Sequence, residues 1–535
     1  MSRPILKNKL YLYLTEFFSG MSVMAVELGA SRLLAPYFSS SQIVWTIIIG
    51  TIMIAMALGN LYGGKQADKN PDPDKLYGRI IIAAIWIAAI PVVGKYIIIA
   101  ISGVLIFSVN SNFLIIAGFA ACMVIFVFPL FLLGTVTPSL VKFTVDSLDD
   151  SGSVVGKLNA SNTIGSIIGT FVPTFISIPA VGTSITFLIF AGILLVLAIV
   201  YFADSKVNFL KAGRLPASIV LFLICCLLGH SNSFAFWQSD LTYEGESIYN
   251  YLQVYEDDEE VVLSTNVLFG VQSVYRKDKS LTGMYYDYAM AAPYMAGVNE
   301  KDELSILVLG NGTGTFATQC GRYFENTVIE GVEIDQKITD LAKEYFELSD
   351  DVRVTTYDGR AFLNAVDEKY DVIMVDAYQD ITIPFQMSSV EFFTLVKDHL
   401  TEDGIMVVNM NMHGSAEGSI NQYLSDTISA VFSQVYVAEV VGTTNMELYA
   451  SDDPDMTERF AQNMSCEEDA DLLRMMEKVS RNLKAYEAGN YLMTDDKAPV
   501  ELLGMKVIDE LIKDEVAYYK DIYESEGFRG LIKML

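Results

Sequence analysis

Residues 304–315 read LSILVLGNGTGT, and this stretch decides the fold of the C-terminal half of the chain. The apolar run Ile306–Leu309 is typical of a strand that is buried on both faces of a sheet. Gly310, Gly312 and Gly314 follow as a glycine-rich turn, and residues 316–323 predict a helix. A buried strand, a glycine turn and a helix in this order predict a βα unit that holds a nucleotide moiety.

An acidic residue follows at the distance that such a unit requires. Residues 328–334 predict the next strand, and Glu333 lies at its carboxyl end, 21 residues after Gly312. A carboxylate at this place can accept hydrogen bonds from both hydroxyls of a ribose. A glycine turn alone is a weak signal, whereas strand, turn, helix, strand and acid in register are a much stronger one.

Two more acids end predicted strands. Residues 352–357 lead to Asp358, and residues 370–375 lead to Asp376. Because parallel strands have their carboxyl ends at one edge of a sheet, we expect Glu333, Asp358 and Asp376 at the edge where open α/β sheets bind ligands. Each acid alone is more typical of a solvated strand end or a helix cap, and the three together favour a site.

The N-terminal half consists of apolar stretches. Seven of them are about 20 residues long, enough to cross a hydrocarbon core of about 30 Å. They lie near residues 10–34, 42–63, 79–107, 113–141, 158–179, 183–203 and 215–231. The third contains Pro91 and is either kinked or divided into two shorter segments. Basic residues cluster before the first stretch and after the second, fourth and sixth, so the N-terminus is expected inside the cell. Seven crossings would place the acidic half outside, where nucleotide-like cofactors are scarce, and this conflict leaves the side of the soluble domain open.

Charge divides the chain at the same place. The 535 residues have a formal net charge of −29; residues 1–231 contain 14 Lys and Arg against 9 Asp and Glu, and the remainder contains 22 against 56. Because no basic surplus neutralises phosphate, nucleic acid is not expected as a partner, whereas a lipid bilayer is. The chain is predicted to be a multi-pass protein of the cell membrane. Its five cysteines lack CxxC spacing and its three histidines are scattered, so neither disulfides nor a metal site are expected.

Small residues recur at helical spacing in the apolar half. Gly59 and Gly63, and again Gly165 and Gly169, form GxxxG pairs. Such pairs let two helix backbones approach closely. They predict helix packing rather than a binding site.

Two acids share one face of the first apolar stretch. Glu16 and Glu27 are eleven residues apart, which is three helical turns. They either line a path or site for a cation or, as is more common, form hydrogen bonds to polar residues of neighbouring helices such as Asn60, Asn159 or Asn162.

These patterns predict four regions. They are a membrane domain of about seven transmembrane helices (1–231), a small β-sheet subdomain (240–300), a Rossmann-like domain (301–452) and an acidic helical C-terminal region (453–535). Strands of the small sheet are predicted at 247–255, 260–264 and 271–276. The predicted fold class is an α-helical multispan membrane domain followed by an α/β Rossmann-like domain of methyltransferase type with a small N-terminal antiparallel β-sheet.

Residues 245–450 resemble the spermidine synthase (polyamine aminopropyltransferase) family, and the whole chain resembles the membrane-fused members of that family. The resemblance rests on SIYN (247–250), FGVQ (269–272), YYD (285–287) with Pro293, the glycine turn, VEID (332–335), DG (358–359), YDVIMVD (370–376) and EFF (391–393). The residues shared with the membrane-fused group are TDDKAPVE (494–501), Glu27, Arg32 and the loop at Gly64.

In this family, decarboxylated S-adenosylmethionine donates an aminopropyl group to an amine such as putrescine. The resemblance implies that Asp376 orients the attacking amine and accepts its proton, that Glu333 holds the ribose, and that Asp358 reads the adenine. It also implies a homodimer. The residues assigned to the donor are Gly310, Gly312, Thr313, Gly314, Glu333, Asp358 and Gly359, and those assigned to the amine are Asn250, Gln272, Tyr285, Tyr286 and Asp380.

The chain departs from the family pattern in the parts that choose the substrate. Thr313 stands where the family has an aspartate, and Asn250 stands where it has a glutamine. Tyr286 replaces a histidine, and Asp380 replaces the second acid of an Asp-x-x-Asp pair with one inserted residue. Loss of the aspartate removes a negative charge and makes intact S-adenosylmethionine, which has a carboxylate, easier to accept.

Three functions therefore remain open. The first is a membrane-bound aminopropyltransferase-like enzyme, and the second is another S-adenosylmethionine-dependent enzyme on the same fold, such as a methyltransferase. The third is a non-enzymatic sensor or transporter of polyamines or nucleosides. The three acids at the predicted sheet edge favour an enzyme.

Overall fold

A computed structural model of the chain describes residues 4–38, 41–105, 112–145, 151–203, 214–231, 233, 240–266, 271–377, 383–411, 417–507 and 525. The chain divides into two compact units. The N-terminal unit comprises Met1–Ser239, Glu244–Leu252 and Asn266–Leu268. The C-terminal unit comprises Asp240–Tyr243, Gln253–Thr265 and Phe269–Leu535.

The N-terminal unit is helical, as its long apolar runs predict. Its helices are α1 (Lys9–Phe38), α2 (Gln42–Lys69), α3 (Pro73–Leu105), α4 (Phe113–Ile125), α5 (Val127–Gly134), α6 (Val136–Thr144), α7 (Ser151–Val172), α8 (Ile178–Ala203) and α9 (Arg214–Leu228). A π-helical turn at Pro173–Ser177 joins α7 to α8, and Gly182, with φ of 80° and ψ of 171°, interrupts the helical backbone of α8.

Five stretches of the described residues are long and apolar enough to cross a membrane. They are Lys9–Phe38, Gln42–Lys69, Pro73–Leu105, Val127–Thr144 and Ser151–Ala203. The third predicted stretch is one continuous helix that includes Pro91. The fifth and sixth predicted stretches lie together in the 53 residues of Ser151–Ala203, and the seventh corresponds to α9, which has 15 residues.

Both GxxxG pairs lie at helix contacts. A Cβ on Gly59 would lie 2.3 Å from the main-chain oxygen of Phe131, and α2 therefore packs directly on α5. A Cβ on Gly165 would lie 2.0 Å from the main-chain oxygen of Phe17, and one on Gly169 would lie 2.1 Å from that of Met21. The prediction of close helix packing is confirmed, because no larger residue fits between α7 and α1.

Glu16 is fully buried and is hydrogen-bonded to neighbouring helices. Its Oε1 accepts hydrogen bonds from the hydroxyl of Thr137 at 2.6 Å and from the side-chain amide of Asn162 at 2.9 Å. Asn162 is one of the partners that the sequence suggested. The hydrogen-bonding interpretation is therefore confirmed for Glu16.

A four-stranded antiparallel sheet precedes the large sheet. Its strands are β1 (Leu241–Glu246), β2 (Tyr251–Glu256), β3 (Glu260–Thr265) and β4 (Ser273–Arg276), in the order β1-β2-β3-β4. Strand β1 was not predicted, and the strand predicted at 247–255 begins too early. The Oγ of Ser247 accepts hydrogen bonds from the main-chain N–H groups of Tyr249 and Asn250, so these residues form a turn instead.

The large sheet of the C-terminal unit has eight strands. They are β5 (Leu304–Leu309), β6 (Thr327–Glu333), β7 (Arg353–Thr356), β8 (Tyr370–Val375), β9 (Leu400–Met410), β10 (Gln434–Glu439), β11 (Met446–Ser451) and β12 (Lys484–Ala485). Their order is β12-β10-β11-β9-β8-β5-β6-β7. Strands β5 to β9 are parallel and β11 and β10 are antiparallel, so the part from β7 to β9 has the 3-2-1-4-5 order of doubly wound folds. The predicted Rossmann-like fold is confirmed.

Helices cover both faces of this sheet. They are α10 (Tyr285–Ala289), α11 (Ala291–Met295), α12 (Thr315–Tyr323), α13 (Gln336–Tyr345), α14 (Gly359–Leu363), α15 (Val390–Asp398), α16 (Ile420–Ser429), α17 (Met456–Ser465) and α18 (Ala470–Asn482). Successive strand residues point to opposite faces, so Met374 packs in one apolar cluster with Ala289 and Phe460, whereas Val375 packs in another with Phe392. Burial on both faces explains why these strands read as continuous apolar runs.

Candidate active site

The glycine turn after β5 brings the ends of two strands together. Gly310, Gly312 and Gly314 have φ values of +86°, +53° and +79°, a conformation that residues with a Cβ rarely adopt. A Cβ on Gly310 would lie 2.6 Å from the main-chain oxygen of Asp376. Glycine is therefore required where the end of β5 lies against the end of β8.

Glu333 ends β6 beside the same turn. Its Oε2 accepts a hydrogen bond from the N–H of Gly312 at 2.9 Å, and its Oε1 accepts one from the N–H of Asp335 at 3.0 Å. The side chain is 7% exposed, and this burial raises its pKa to about 7 although both N–H groups act to lower it. Both carboxylate oxygens are thus held in place at the carboxyl edge of the sheet.

Asp358 follows β7 and begins α14. Its Oδ1 accepts a hydrogen bond from the N–H of Ala361 at 2.8 Å, which caps the helix. Gly359 comes next, and a Cβ there would lie 3.2 Å from the side chain of Met387. Asp358 is therefore a helix cap, which was one of the two interpretations of this acid, and it lies half-buried at the end of the third strand.

Asp376 is half-buried at the end of β8 and is held by two donors. The hydroxyl of Tyr285 donates to its Oδ2 at 2.6 Å, and the side-chain amide of Asn409 donates to its Oδ1 at 2.9 Å. Burial raises the pKa of Asp376 to about 7, the two donors act to lower it, and the nearby charge of Glu333 raises it further. A carboxyl group with a pKa near 7 can take up a proton and release it again near neutral pH.

The two adjacent tyrosines of α10 have different partners. Tyr285 donates to Asp376, whereas the hydroxyl of Tyr286 donates to the main-chain oxygen of Gln272 at 2.7 Å. The centroids of the two rings are 4.0 Å apart. Tyr285 thus lies at Asp376 as the sequence suggested, and Tyr286 ties α10 to the residue that precedes β4.

Asn250 and Asp380 are two more of the residues predicted for the amine site. Asn250 belongs to the N-terminal unit, where its Oδ1 accepts a hydrogen bond from the side-chain amide of Asn266 at 2.6 Å. Asp380 lies outside the described residues. Thr313 lies inside the glycine turn and is 1% exposed.

Two polar residues near Asp376 were missed in the sequence. Asn409 lies in β9 and donates to Asp376, and it accepts a hydrogen bond from the side-chain amide of Asn445 at 2.9 Å. Glu447 lies in β11 directly opposite Asn409. In the sequence, each of these two residues is a polar residue inside an otherwise apolar strand. Their position beside Asp376 becomes evident only when the pairing of the strands is known.

An ion pair fixes the helix that begins at Asp358. Arg360 donates from Nη1 to Oδ1 of Asp495 and from Nη2 to Oδ2, both at 2.7 Å. The hydroxyl of Ser389 also donates to Asp495 at 2.6 Å. Asp495 belongs to the stretch 494–501, which resembles the membrane-fused group, and it holds α14 in place.

A parallel sheet with a glycine turn and three acids at its carboxyl edge is the architecture of α/β proteins that bind nucleoside-type ligands. The spermine/spermidine synthase domain model matches residues 285–449. A probable polyamine aminopropyl transferase of Bifidobacterium longum is 50% identical over 61% of this chain and 76% of that protein. A polyamine aminopropyltransferase of Vibrio vulnificus is 28% identical over 41% of this chain and 74% of that protein. The chain belongs to the spermine/spermidine synthase family, and it is an enzyme of the aminopropyltransferase type.

Solved structures of low sequence identity resemble parts of the chain. A probable spermidine synthase from Corynebacterium glutamicum is 19% identical and covers 47% of this chain and 97% of its own, with a TM-score of 0.35. A spermidine synthase in complex with the transition state analogue AdoDATO is 18% identical and covers 52% of this chain and 89% of its own, with a TM-score of 0.35.

Proposed function

We propose that this chain is a membrane-bound polyamine aminopropyltransferase that transfers the aminopropyl group of decarboxylated S-adenosylmethionine to an amine such as putrescine. The observation that supports it most is the position of Asp376. This carboxyl group lies at the ligand-binding edge of the sheet, beside the glycine turn, and Tyr285 and Asn409 hold both of its oxygens. Its pKa of about 7 suits proton transfer at neutral pH.

The reaction needs an unprotonated amine next to a fixed sulfonium. The amine nitrogen forms a bond to the aminopropyl carbon beside the sulfur, and the carbon–sulfur bond breaks with its electrons going to sulfur. Methylthioadenosine leaves, and the proton of the new ammonium goes to Asp376. In this proposal Asp376 also aligns the amine, which converts a collision of two molecules into a reaction between positioned groups.

The donor site is proposed at the edge formed by β5, β6 and β7. Glu333, with both oxygens held by main-chain N–H groups, is proposed to accept hydrogen bonds from the ribose. Gly310, Gly312, Thr313 and Gly314 line the turn, and Asp358 with Gly359 is proposed to contact the adenine.

A second candidate function rests on Thr313. This residue brings no negative charge to the glycine turn, so the carboxylate of intact S-adenosylmethionine meets no repulsion there. A methyltransferase on the same fold is therefore the second candidate. Membership of the aminopropyltransferase family favours the first.

The membrane part of the proposal is supported by the surface of the N-terminal helices. Large apolar side chains on α2, α3 and α9 are strongly exposed, among them Met53 at 65%, Val104 at 70% and Leu227 at 73%. Water would be a poor solvent for such a surface, and lipid tails would suit it. We propose that α2 and α3 cross the membrane of the cell and that α9 contacts its lipid without crossing it.

The lengths of the helices also support a proposal for the side of the C-terminal unit. The 53 residues of Ser151–Ala203 extend about 80 Å, more than twice the thickness of a hydrocarbon core, and Gly182 breaks them, so they are proposed to cross twice. The 15 described residues of α9 extend about 22 Å, less than the thickness of a hydrocarbon core, and are proposed not to cross. Six crossings with the N-terminus inside place the C-terminal unit in the cytoplasm, where an adenosyl donor is available.

The test is calorimetric binding of decarboxylated S-adenosylmethionine, S-adenosylmethionine and methylthioadenosine, together with turnover of Asp376→Asn with putrescine and spermidine. We expect tighter binding of the decarboxylated donor, and turnover reduced about a hundred-fold or more in the variant. Asp340→Asn, which removes an exposed carboxylate from α13, is the matched control. Preference for the intact donor would support the methyltransferase, and binding of no adenosyl ligand would contradict both functions.

A further inference from the structure

Glu447 is a buried carboxyl group that the proposed chemistry does not yet use. Its side chain is 0% exposed, and neither of its oxygens has a hydrogen-bond partner among the residues that the structure describes. A buried carboxyl group without a partner lowers stability, whether it is ionised or neutral. Groups of this kind are few in folded proteins, and each needs an explanation.

The sheet places Glu447 in one row with Asp376. Val375 in β8 is paired with Val408 in β9, so the residues that follow them, Asp376 and Asn409, lie next to each other. Asn409 is in turn paired with Glu447 in β11. Residues directly paired across strands point to the same face. The three side chains therefore form a row across three strands, and the backbones at its two ends are separated by two strand spacings of about 4.8 Å each.

The same face bears the tyrosine that binds Asp376. Residues two apart in a strand point to the same face, so Met374, Val407 and Tyr449 share the face of Asp376, Asn409 and Glu447, respectively. These three residues pack in one apolar cluster with Tyr285. Burial raises the pKa of Glu447 well above its usual range, and the charge of Asp376 raises it further. A carboxyl group in this position gains most from a bound cation.

We infer that Glu447 forms the inner end of the acceptor site and binds the positively charged far amine of a diamine or polyamine whose near amine lies at Asp376. This inference rests on the proposed function. An ammonium group has three donors and no acceptor, which matches a carboxylate whose oxygens have no other partner. An acceptor with a methyl group at that end would leave Glu447 unpaired, so the site would discriminate against monoamines of the same length.

The test is the ratio of the dissociation constants of butylamine and putrescine, which differ in the second amine. We expect the wild-type protein to bind putrescine about ten-fold more tightly or better, and Glu447→Gln to lose most of that preference. Glu439→Gln, which removes an exposed carboxylate from the neighbouring strand β10, is expected to keep it. Glu447→Met, which fills the same space without a polar group, provides the same test if the glutamine variant does not fold.

The outcomes separate this inference from the proposed function. If aminopropyl transfer occurs and the Glu447→Gln ratio stays within about two-fold of the wild-type ratio, Glu447 does not bind the amine and the inference is wrong. A wild-type protein without preference for putrescine also overturns it. If the preference falls in Glu447→Gln but no aminopropyl transfer is found with any acceptor, the inference holds and the proposed reaction is wrong. A role in packing alone would change the unfolding temperature without changing the ratio.

Discussion

Asp376 is half-buried and has its two oxygens held by Tyr285 and Asn409, and burial together with these donors sets the pH at which it would act as the proposed base. Burial favours the neutral acid and the two donors favour the carboxylate, and the balance gives a pKa of about 7. Only the carboxylate accepts a proton, so activity should be low below this pH and rise through it. Glu333 has a similar pKa, and the rising limb therefore belongs to both acids.

Tyr285→Phe should move the rising limb of the kcat profile to higher pH. The change removes a hydrogen bond that stabilises the carboxylate of Asp376, so the pKa rises by about one unit if the bond contributes about 1.4 kcal/mol. Turnover measured across neutral pH checks this. In Tyr286→Phe the lost hydroxyl donates to Gln272 and not to Asp376, so the limb should stay at the wild-type pH. If the rising limb does not move in Tyr285→Phe, the ionisation of Asp376 does not control kcat, and the prediction is wrong.

The residues of the site differ in how far the sequence predicts them. Glu333, Asp358 and Asp376 were predictable because each lies at or just after the end of a recognisable strand, and strand and glycine turn are local signals. Asn409 and Glu447 were not, because their meaning depends on the pairing of β8, β9 and β11, which is set by packing of the whole sheet. Their strands are apolar, so each polar residue looked like an isolated exception.

At the scale of elements, α14 depends on a residue far along the chain. The helix has five residues, Gly359–Leu363, too few to be stable alone, and Asp358 caps its N-terminus. Arg360 in its first turn is held by both oxygens of Asp495, which is 135 residues away. Such a contact is invisible in sequence, although the stretch around Asp495 resembles the membrane-fused group.

Asp495→Asn should raise the KM for the donor and leave kcat nearly unchanged. Loss of the ion pair loosens α14 and with it the proposed adenine contact at Asp358. Because the ion pair is partly exposed, we expect the KM for the donor to rise only about two- to five-fold. Asp496→Asn removes the same charge from the next residue, which is exposed, and should leave the KM at the wild-type value. Equal effects of the two changes would contradict a specific role of the ion pair.

The contact between α1 and α7 depends on the absence of a side chain at Gly165. Gly165→Ala should lower the stability of the N-terminal unit by about 1–3 kcal/mol, because its Cβ would lie 2.0 Å from the main-chain oxygen of Phe17. Gly156→Ala on the same helix has open space around it and should be neutral or slightly stabilising. Thermal unfolding in detergent micelles measures both. Similar unfolding temperatures for the two variants would show that α7 does not pack on α1 in this way.

At the scale of the whole molecule, the sequence predicted the nature of both halves better than their internal division. Apolar length and the period of the strands are strong signals, so the helical half and the Rossmann-like half were both recognised. Strand β1 was missed because its sequence LTYEGE has little apolar content. The break at Gly182 falls between the predicted stretches 158–179 and 183–203. The number of crossings was harder to predict, since the seventh predicted stretch corresponds to α9, which has only 15 described residues.

The side of the C-terminal unit is open to a direct test through Cys466, which is exposed in that unit. Six crossings predict that a membrane-impermeant maleimide leaves Cys466 unlabelled in intact cells and labels it after permeabilisation. Cys466→Ser provides the background from the other cysteines. Labelling in intact cells would place the unit outside and would indicate an odd number of crossings.

The identity of the transferred group tests the central claim most directly. The purified protein is incubated with putrescine and equal concentrations of decarboxylated and intact S-adenosylmethionine, and the mass of the amine product is measured. The account predicts a gain of one aminopropyl group, with one methylthioadenosine released for each product and the rate of product formation reduced about a hundred-fold or more in Asp376→Asn. A gain of a methyl group, or product formation undiminished in Asp376→Asn, would contradict it.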